Sequence, residues 1–227
     1  MKEASIIIAA WNEEKNIKKT IRSLKQEGYN NIIVTDDGSE DNTSKIAEQE
    51  GATVLKHLIN RGQGAALQTG MTYAILNNAK YLVHFDADGQ HDPKEIQNLL
   101  RPIINNETEA SLGSRFLSKQ KVPLIRKLTL KGAILVIWLF YGVKLTDAHN
   151  GFRAFSREAA KKVIITTDKM EHASEIIERI KKRNIKYKEI PVNIIYEEHH
   201  LKEGRKGQGS FDSTKIVLKM LQKKIWK

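Results

Sequence analysis

The sequence predicts an α/β fold with a mostly parallel central sheet and helices on both faces. Three observations carry this. Short strand-like runs alternate with helix-like segments through residues 1–100 in the order β-α-β-α-β-α-β-α. The main runs, SIIIAA, NIIVT and YLVHF, are apolar almost throughout instead of alternating with polar residues, as expected of strands buried on both faces. The chain of 227 residues is long enough for one such domain with a sizeable core and a small appendage.

Ser5–Ala10 reads as the first buried strand, broken by Trp11-Asn12-Glu13-Glu14. Ile17, Ile21 and Leu24 follow at helical spacing, and Gly28 ends that helix. Asn31–Thr35 is the second strand and runs into Asp36-Asp37-Gly38-Ser39. A polar helix over Asn42–Glu50 is closed by Gly51. Thr53–Lys56 is a short third strand, and the loop Asn60–Gly64 feeds a helix over Ala65–Leu76. Tyr81–Phe85 is the fourth strand, and after its acidic loop Pro93 starts another helical pattern.

Ligands of parallel sheets sit beyond the carboxyl ends of the strands. Asn12/Glu13, Asp36/Asp37, Arg61 and Asp86/Asp88 all follow strands, so the pattern converges these chain-distant residues on one crevice. The acidic loop DADGQHD is its focus. Asp86, Asp88 and Asp92 crowd where a strand ends, and carboxylates held so close repel one another unless a cation sits among them. Asp86, Asp88 and the Gln90 amide offer oxygen, which suits Mg²⁺ or Mn²⁺. Such an ion completes its shell with phosphate oxygens, so the loop reads as a metal–diphosphate site. The alternative is an acidic loop that caps the next helix.

Other nucleotide sites fit less well. No G-x-G-x-x-G follows the first strand, and Gly62-Gln63-Gly64 lacks the Lys-Ser/Thr of a P-loop. Those glycines read as a tight turn, with Arg61 supplying charge to an anion. His91 and His149 read as loop hydrogen-bonders, because an oxygen-rich site has no need of imidazole.

Charge divides the chain. Residues 1–110 hold 12 basic and 16 acidic side chains, and residues 111–227 hold 26 and 11, giving +11 overall. An acidic first half suits a metal, and a basic second half suits anions: a phosphorylated substrate, acidic lipid or nucleic acid. A basic nucleic-acid-binding protein would leave the acidic strand ends unexplained. There is no cysteine, so disulfides and zinc–thiolate sites are excluded and a reducing compartment is permitted. The N-terminal apolar run is too short for a secretion signal, and no stretch reaches the ~20 apolar residues of a membrane span.

The segments IIIAAWNEEKNI, IIVTDDGSEDNT, the helix after Arg61, DADGQHDP, GSRF (Gly113–Phe116) and TDAHNGFRAF (Thr146–Phe155) together resemble family 2 glycosyltransferases of the GT-A fold, in particular polyprenyl- or dolichyl-phosphate hexose synthases. The resemblance covers about residues 4–156, with a weaker match in KGQGS at Lys206–Ser210. It implies a metal-dependent, inverting transfer of a hexose from a nucleotide sugar, GDP-mannose or UDP-glucose, to a polyprenyl phosphate. It also implies that Ala9, Trp11, Glu13 and one of Asp36 and Asp37 hold base and ribose, that Asp86 reaches ribose or metal beside Ala87, and that Asp88 and Gln90 ligate the metal. Arg115 would meet the donor phosphates or the acceptor phosphate. Ala9 stands where many relatives have proline. Near the C-terminus, Gly204 and Ser210 fall where dolichyl-phosphate mannose synthases carry Arg and Lys, and Arg205 and Lys206 are the nearby substitutes.

On this reading residues 1–196 form the catalytic domain, with 1–110 the donor-binding half and 111–196 the acceptor side, and 197–227 form a basic loop and an amphipathic helix. A hydroxyl acceptor would need a general base; Asp147 is the candidate, and its alternative is a loop residue that orders Arg153 or caps amides. Ala133–Tyr141, preceded by Arg126, Lys127 and Lys131, reads as an interfacial helix or a buried one, and Phe211–Lys227 as a helix on the domain or on a membrane surface. A cytoplasmic protein, peripheral on the membrane face, is the expected setting. Gly151–Phe155 reads as a returning strand, Arg157–Ile165 and Met170–Arg183 as helices, and Ile185–Tyr196 as a last strand or hairpin with Pro191 at an edge or bulge.

Overall fold

A computed structural model describes residues 3–118, 142–147 and 150–195. The expected helices over Ala133–Tyr141 and Phe211–Lys227, together with His149, Arg205 and Lys206, fall outside the described residues.

Seven strands form one sheet in the order β3-β2-β1-β4-β6-β5-β7. The first four are β1 (Ala4–Ala10), β2 (Ile32–Asp36), β3 (Thr53–Lys56) and β4 (Tyr81–His84), all mutually parallel. The others are β5 (Ala110–Ser114), β6 (Arg153–Ser156) and β7 (Tyr187–Pro191). Of these, β6 runs antiparallel to both β4 and β5, and β5 runs parallel to β7. Among the described residues six α-helices flank the sheet: α1 (Ile17–Gln26), α2 (Thr43–Gln49), α3 (Gln63–Leu76), α4 (Ile96–Ile104), α5 (Arg157–Lys162) and α6 (His172–Lys182).

Strand periodicity builds two cores from one sheet. Ile6, Ile8, Val34 and Val83 face one side with Ile17, Ile21 and Leu24 of α1 and Leu99 of α4. Ile7, Ile33 and Leu82 face the other with Leu67 and Met71 of α3 and Ile176 and Ile180 of α6. Successive side chains point to opposite faces, so an all-apolar run is what a doubly covered strand needs.

Helix ends follow local chemistry. Ser156 caps α5 by accepting from the Ala159 N–H. Asp92 accepts from the Lys94 N–H and starts the 3₁₀ turn Pro93–Glu95 that leads into α4. At Gly70 in α3 an added Cβ would lie 2.6 Å from Ile7 Cγ2, so its lack of a side chain lets α3 press onto β1.

Three expectations shift. Phe85 lies past the end of β4, whereas Asp36 is the last residue of β2. The helix expected over Arg157–Ile165 stops at Lys162. β5, a small-residue strand of sequence ASLGS, was not expected; it is specified by pairing on both sides, not by its own propensity.

Candidate active site

A cleft of about 860 Å³ opens at the edge of the sheet where β1, β2, β4 and β5 end and β6 begins. The turn after β1 supplies one end. Asn12 takes a left-handed φ of 54°, which breaks the strand, and the loop is tied across to the one after β2. Asn12 N–H donates to Ser39 Oγ at 2.9 Å, and Glu13 N–H to Thr43 Oγ1 at 2.8 Å. Glu13 is buried, accepts from Asn16 Nδ2 at 2.8 Å, and lines the cleft with Ala9 and Trp11. Trp11 is 53 % exposed at the cleft, an aromatic face open to a ligand.

The Asp pair at the end of β2 divides. Asp37 lines the cleft, and its carboxylate accepts from the N–H groups of Arg61 (3.1 Å) and Gly62 (2.6 Å) and contacts His57 Nδ1 at 2.7 Å. Asp36 does not line the cleft; it is buried and accepts from Ser39 N–H and the Ser39 and Ser44 hydroxyls. Arg61 is not brought in either. Its guanidinium pairs with Asp168 at 3.3 Å, half-exposed, and does not line the cleft.

The acidic loop after β4 forms the centre. Gly89, at φ 75°, makes the turn, and Gln90 N–H donates to Asp88 Oδ1 at 3.0 Å. Thr20 of α1 donates its hydroxyl to the Ala87 carbonyl at 2.9 Å and anchors the loop from below. Asp86, Ala87, Asp88 and Gln90 all line the cleft. His91 supports them from the core: it is stacked on Phe152 with centroids 4.6 Å apart, and its Nδ1 accepts from the Asp86 N–H at 3.2 Å. Burial pulls its pKa down to about 4, against the opposing pull of Asp88, so its 3.4 Å contact with Asp86 is made by a neutral ring and is no ion pair. Behind the loop, Glu95 accepts from Asn193 N–H and Nδ2, and Ile195 N–H donates to the Gln90 carbonyl at 2.8 Å, so the chain after β7 braces the loop.

Arg115 follows β5 and lines the cleft; Asp147 does not. Asp147 lies behind Arg115, takes its Nε at 2.6 Å and its Nη2 at 3.2 Å, and also accepts its backbone N–H. A carboxylate so enclosed orients a cation; it is not placed as a base at the cleft.

The cleft also holds residues the strand-end argument missed. Asn150, Gly151 and Arg153 line it at the start of β6. That strand is antiparallel, so its beginning, not its end, reaches this edge. The TDAHNGFRAF segment was the available signal. Lys169 and Met170 ahead of α6 and His172 at its first position line the cleft and belong to no motif.

Among the described residues no three His, Cys, Asp or Glu side chains converge as a metal cage. The donor set still fits a hard divalent ion, because Asp86, Asp88 and Gln90 present oxygen to a cleft spacious enough for a diphosphate to complete the shell.

The sequence pattern of Glycosyl transferase family 2 matches residues 5–164. The chain belongs to glycosyltransferase family 2. It is similar to an uncharacterised protein of Methanocaldococcus jannaschii, 41 % identical over 99 % of this chain and 93 % of that one. It is also similar to the UDP-N-acetylglucosamine–dolichyl-phosphate N-acetylglucosaminyltransferase of Methanococcus voltae, 35 % identical over 98 % and 96 % of the two chains. Glucosyl-3-phosphoglycerate synthase from Mycobacterium tuberculosis, solved with Mg²⁺ and UDP, shares the fold at a TM-score of 0.69 and 18 % identity, covering 95 % of this chain and 78 % of that one. As a member of the family the chain is a glycosyltransferase of GT-A fold, close to the dolichyl-phosphate sugar transferases. Among the described residues no helix is long and apolar enough to cross a membrane.

Proposed function

We propose that this glycosyltransferase moves a hexose or N-acetylhexosamine from a uridine or guanosine diphosphate sugar to a polyprenyl phosphate at a membrane surface, with Mg²⁺ or Mn²⁺ in the site and inversion at the anomeric carbon. GDP-mannose and UDP-glucose are the donors suggested by the motifs, and the M. voltae relative adds UDP-N-acetylglucosamine. The observation that carries the reading is the joint placement of Trp11, Glu13, Asp37, Asp86, Asp88 and Arg115 around one cleft.

Trp11 and the Ala9–Glu13 turn would hold base and ribose together with Asp37. Asp86, Asp88 and Gln90 would hold the divalent ion, which when bound supplies positive charge to the departing diphosphate. Arg115, fixed by Asp147, would place its positive charge against a phosphate. Arg205 and Lys206 would add charge from the basic segment.

The acceptor class follows from what the carboxylates are already doing. A hydroxyl nucleophile needs a base within hydrogen-bond reach, whereas a phosphate monoester is ionised near neutral pH and needs only positioning. Asp147 is engaged by Arg115, and the other described acidic side chains at the cleft, Glu13, Asp37, Asp86 and Asp88, are those assigned above to the nucleotide and the metal on this reading. This favours phosphate.

Calorimetric titration of the donor panel with and without Mn²⁺ tests the site, and Asp88→Ala should abolish the metal-dependent binding. Full affinity in that variant would remove the metal assignment. Labelled sugar should then partition into organic solvent after incubation with polyprenyl phosphate; transfer only to water-soluble acceptors would instead establish a hydroxyl acceptor.

A further inference from the structure

Two buried hydrogen-bond donor atoms, on residues that line the cleft, have no partner among the described residues. Asn150 is 4 % exposed and Arg153 2 % exposed, and both line the cleft. The Asn150 amide is oriented by its own turn: Oδ1 accepts from the Phe152 N–H at 3.0 Å, which leaves Nδ2 as a hydrogen-bond donor, and Nδ2 has no acceptor. Arg153 Nη1 likewise has none. Arg153 pairs in register with His84 across β4 and β6, and both ring nitrogens of His84 are also unpartnered, so His84 does not accept from the guanidinium. Burial brings Arg153 down to about 10, with Asp86 and Asp147 pulling the other way, so the side chain is charged at neutral pH. Buried hydrogen-bond donors are nearly always satisfied, and an exception that lines a cleft is most simply completed by a ligand.

The sheet order says which part of a ligand. Neighbouring strands run β2, β1, β4, β6, β5. Along this edge they present Asp37, then Ala9–Glu13, then Asp86–Gln90, then Asn150–Arg153, then Arg115. A nucleotide sugar laid with its base at β1 and β2 and its diphosphate at β4 places the sugar over β6. Arg115 lies beyond it. Gly151 brings the two segments together: a Cβ there would stand 2.8 Å from Asp86 Oδ2, so the backbone ahead of β6 packs directly on the first carboxylate of the acidic loop.

We propose that Asn150 Nδ2 and Arg153 Nη1 form the subsite for the transferred sugar, donating hydrogen bonds to an oxygen of that sugar (a ring hydroxyl or an acyl carbonyl) and setting which sugar is accepted. The inference rests on the nucleotide-sugar reading above and adds the residues that discriminate within it.

The test compares each nucleotide sugar with its free nucleoside diphosphate, both titrated by calorimetry with Mn²⁺ into wild type, Arg153→Lys and Asn150→Ala. Arg153→Lys keeps the buried charge and loses the guanidinium fork. Thermal melts of both variants confirm that they fold. The expected result is a loss of about tenfold or more in affinity for the nucleotide sugar, with the nucleoside diphosphate unchanged within about twofold, the contrast a hydrogen bond to a charged group gives. A series of monodeoxy nucleotide sugars should show one position where wild type loses affinity and Arg153→Lys does not. Equal weakening of sugar and diphosphate would mean that the pair acts through Asp86, and would overturn the subsite. So would unchanged affinity for both, or weakened binding of polyprenyl phosphate alone. A wild type that binds no nucleotide at all would instead defeat the nucleotide-sugar reading itself, and the subsite with it.

Discussion

Asp147 grips Arg115 with both carboxylate oxygens, Nε at 2.6 Å and Nη2 at 3.2 Å, and both side chains are buried. Glu189 on β7 holds the carboxylate's segment in turn, accepting from the N–H groups of Thr146 (2.9 Å) and Asp147 (3.2 Å). The edge strand thus fixes the position of a cation at the cleft through two carboxylates.

Removing one member of a buried pair leaves the other uncompensated, at a cost of about 3–5 kcal/mol. Asp147→Ala should therefore lower the melting temperature by roughly 6–20 °C at that cost for a chain of this size. Asp147→Asn should fold better yet still lower kcat, because Arg115 loses its two-point anchor. Arg115→Lys should not restore activity, since an ammonium cannot span both oxygens. Normal kcat in Asp147→Asn, measured by donor turnover, would show that the orientation of Arg115 does not matter.

Gly64 in α3 sits against the loop that walls the cleft. A Cβ there would lie 2.1 Å from the Thr167 carbonyl oxygen and 2.9 Å from His172 Cβ. Backbone cannot yield cheaply, so Gly64→Ala should destabilise by about 1–3 kcal/mol. It should also weaken nucleotide-sugar binding by shifting Lys169 and His172. Calorimetric melting and titration check the two effects separately.

Glu175 organises that same loop. Burial alone would push its carboxyl up, but hydrogen bonds from Thr166 and Thr167, through both hydroxyls and both N–H groups, outweigh it and hold it at about 2. With the folded pKa below the ordinary 4.5, the stabilisation is fully present above 4.5 and is lost as pH falls from there towards about 2. Glu175→Gln should melt earlier at pH 7, and its stability should depend less on pH across that window. Parallel pH–melting curves for both proteins would reveal it.

Arg61 pairs with Asp168 in water, where such pairs contribute about 0–1 kcal/mol. Arg61→Ala should thus change the melting temperature little and leave the donor KM near that of wild type. A large rise in KM would mean that Arg61 leaves Asp168 to meet the ligand.

Much of the architecture was legible in the sequence because it rests on local pattern. Continuous apolar runs such as SIIIAA can only be strands covered on both sides, and the acidic loop after YLVH announces its place at a strand end. The β5 strand was not legible, since ASLGS has little strand preference and is held by its neighbours. The division of labour within Asp36-Asp37 was hidden for a similar reason: adjacent residues on a strand face opposite ways, and which one faces the cleft depends on where the strand stops.

By itself, the sequence determined that the chain is a mostly parallel-sheet glycosyltransferase with acidic side chains gathered at the ends of its strands, because hydrophobic period, turn residues and motif spacing are all short-range information. Only the tertiary structure decided that Asp147 would be spent on Arg115, that Arg61 would turn to Asp168, and that Asn150 and Arg153 would reach the cleft. Those outcomes depend on strand order and direction, which bring residues far apart in the chain within hydrogen-bond range, and no local pattern encodes that.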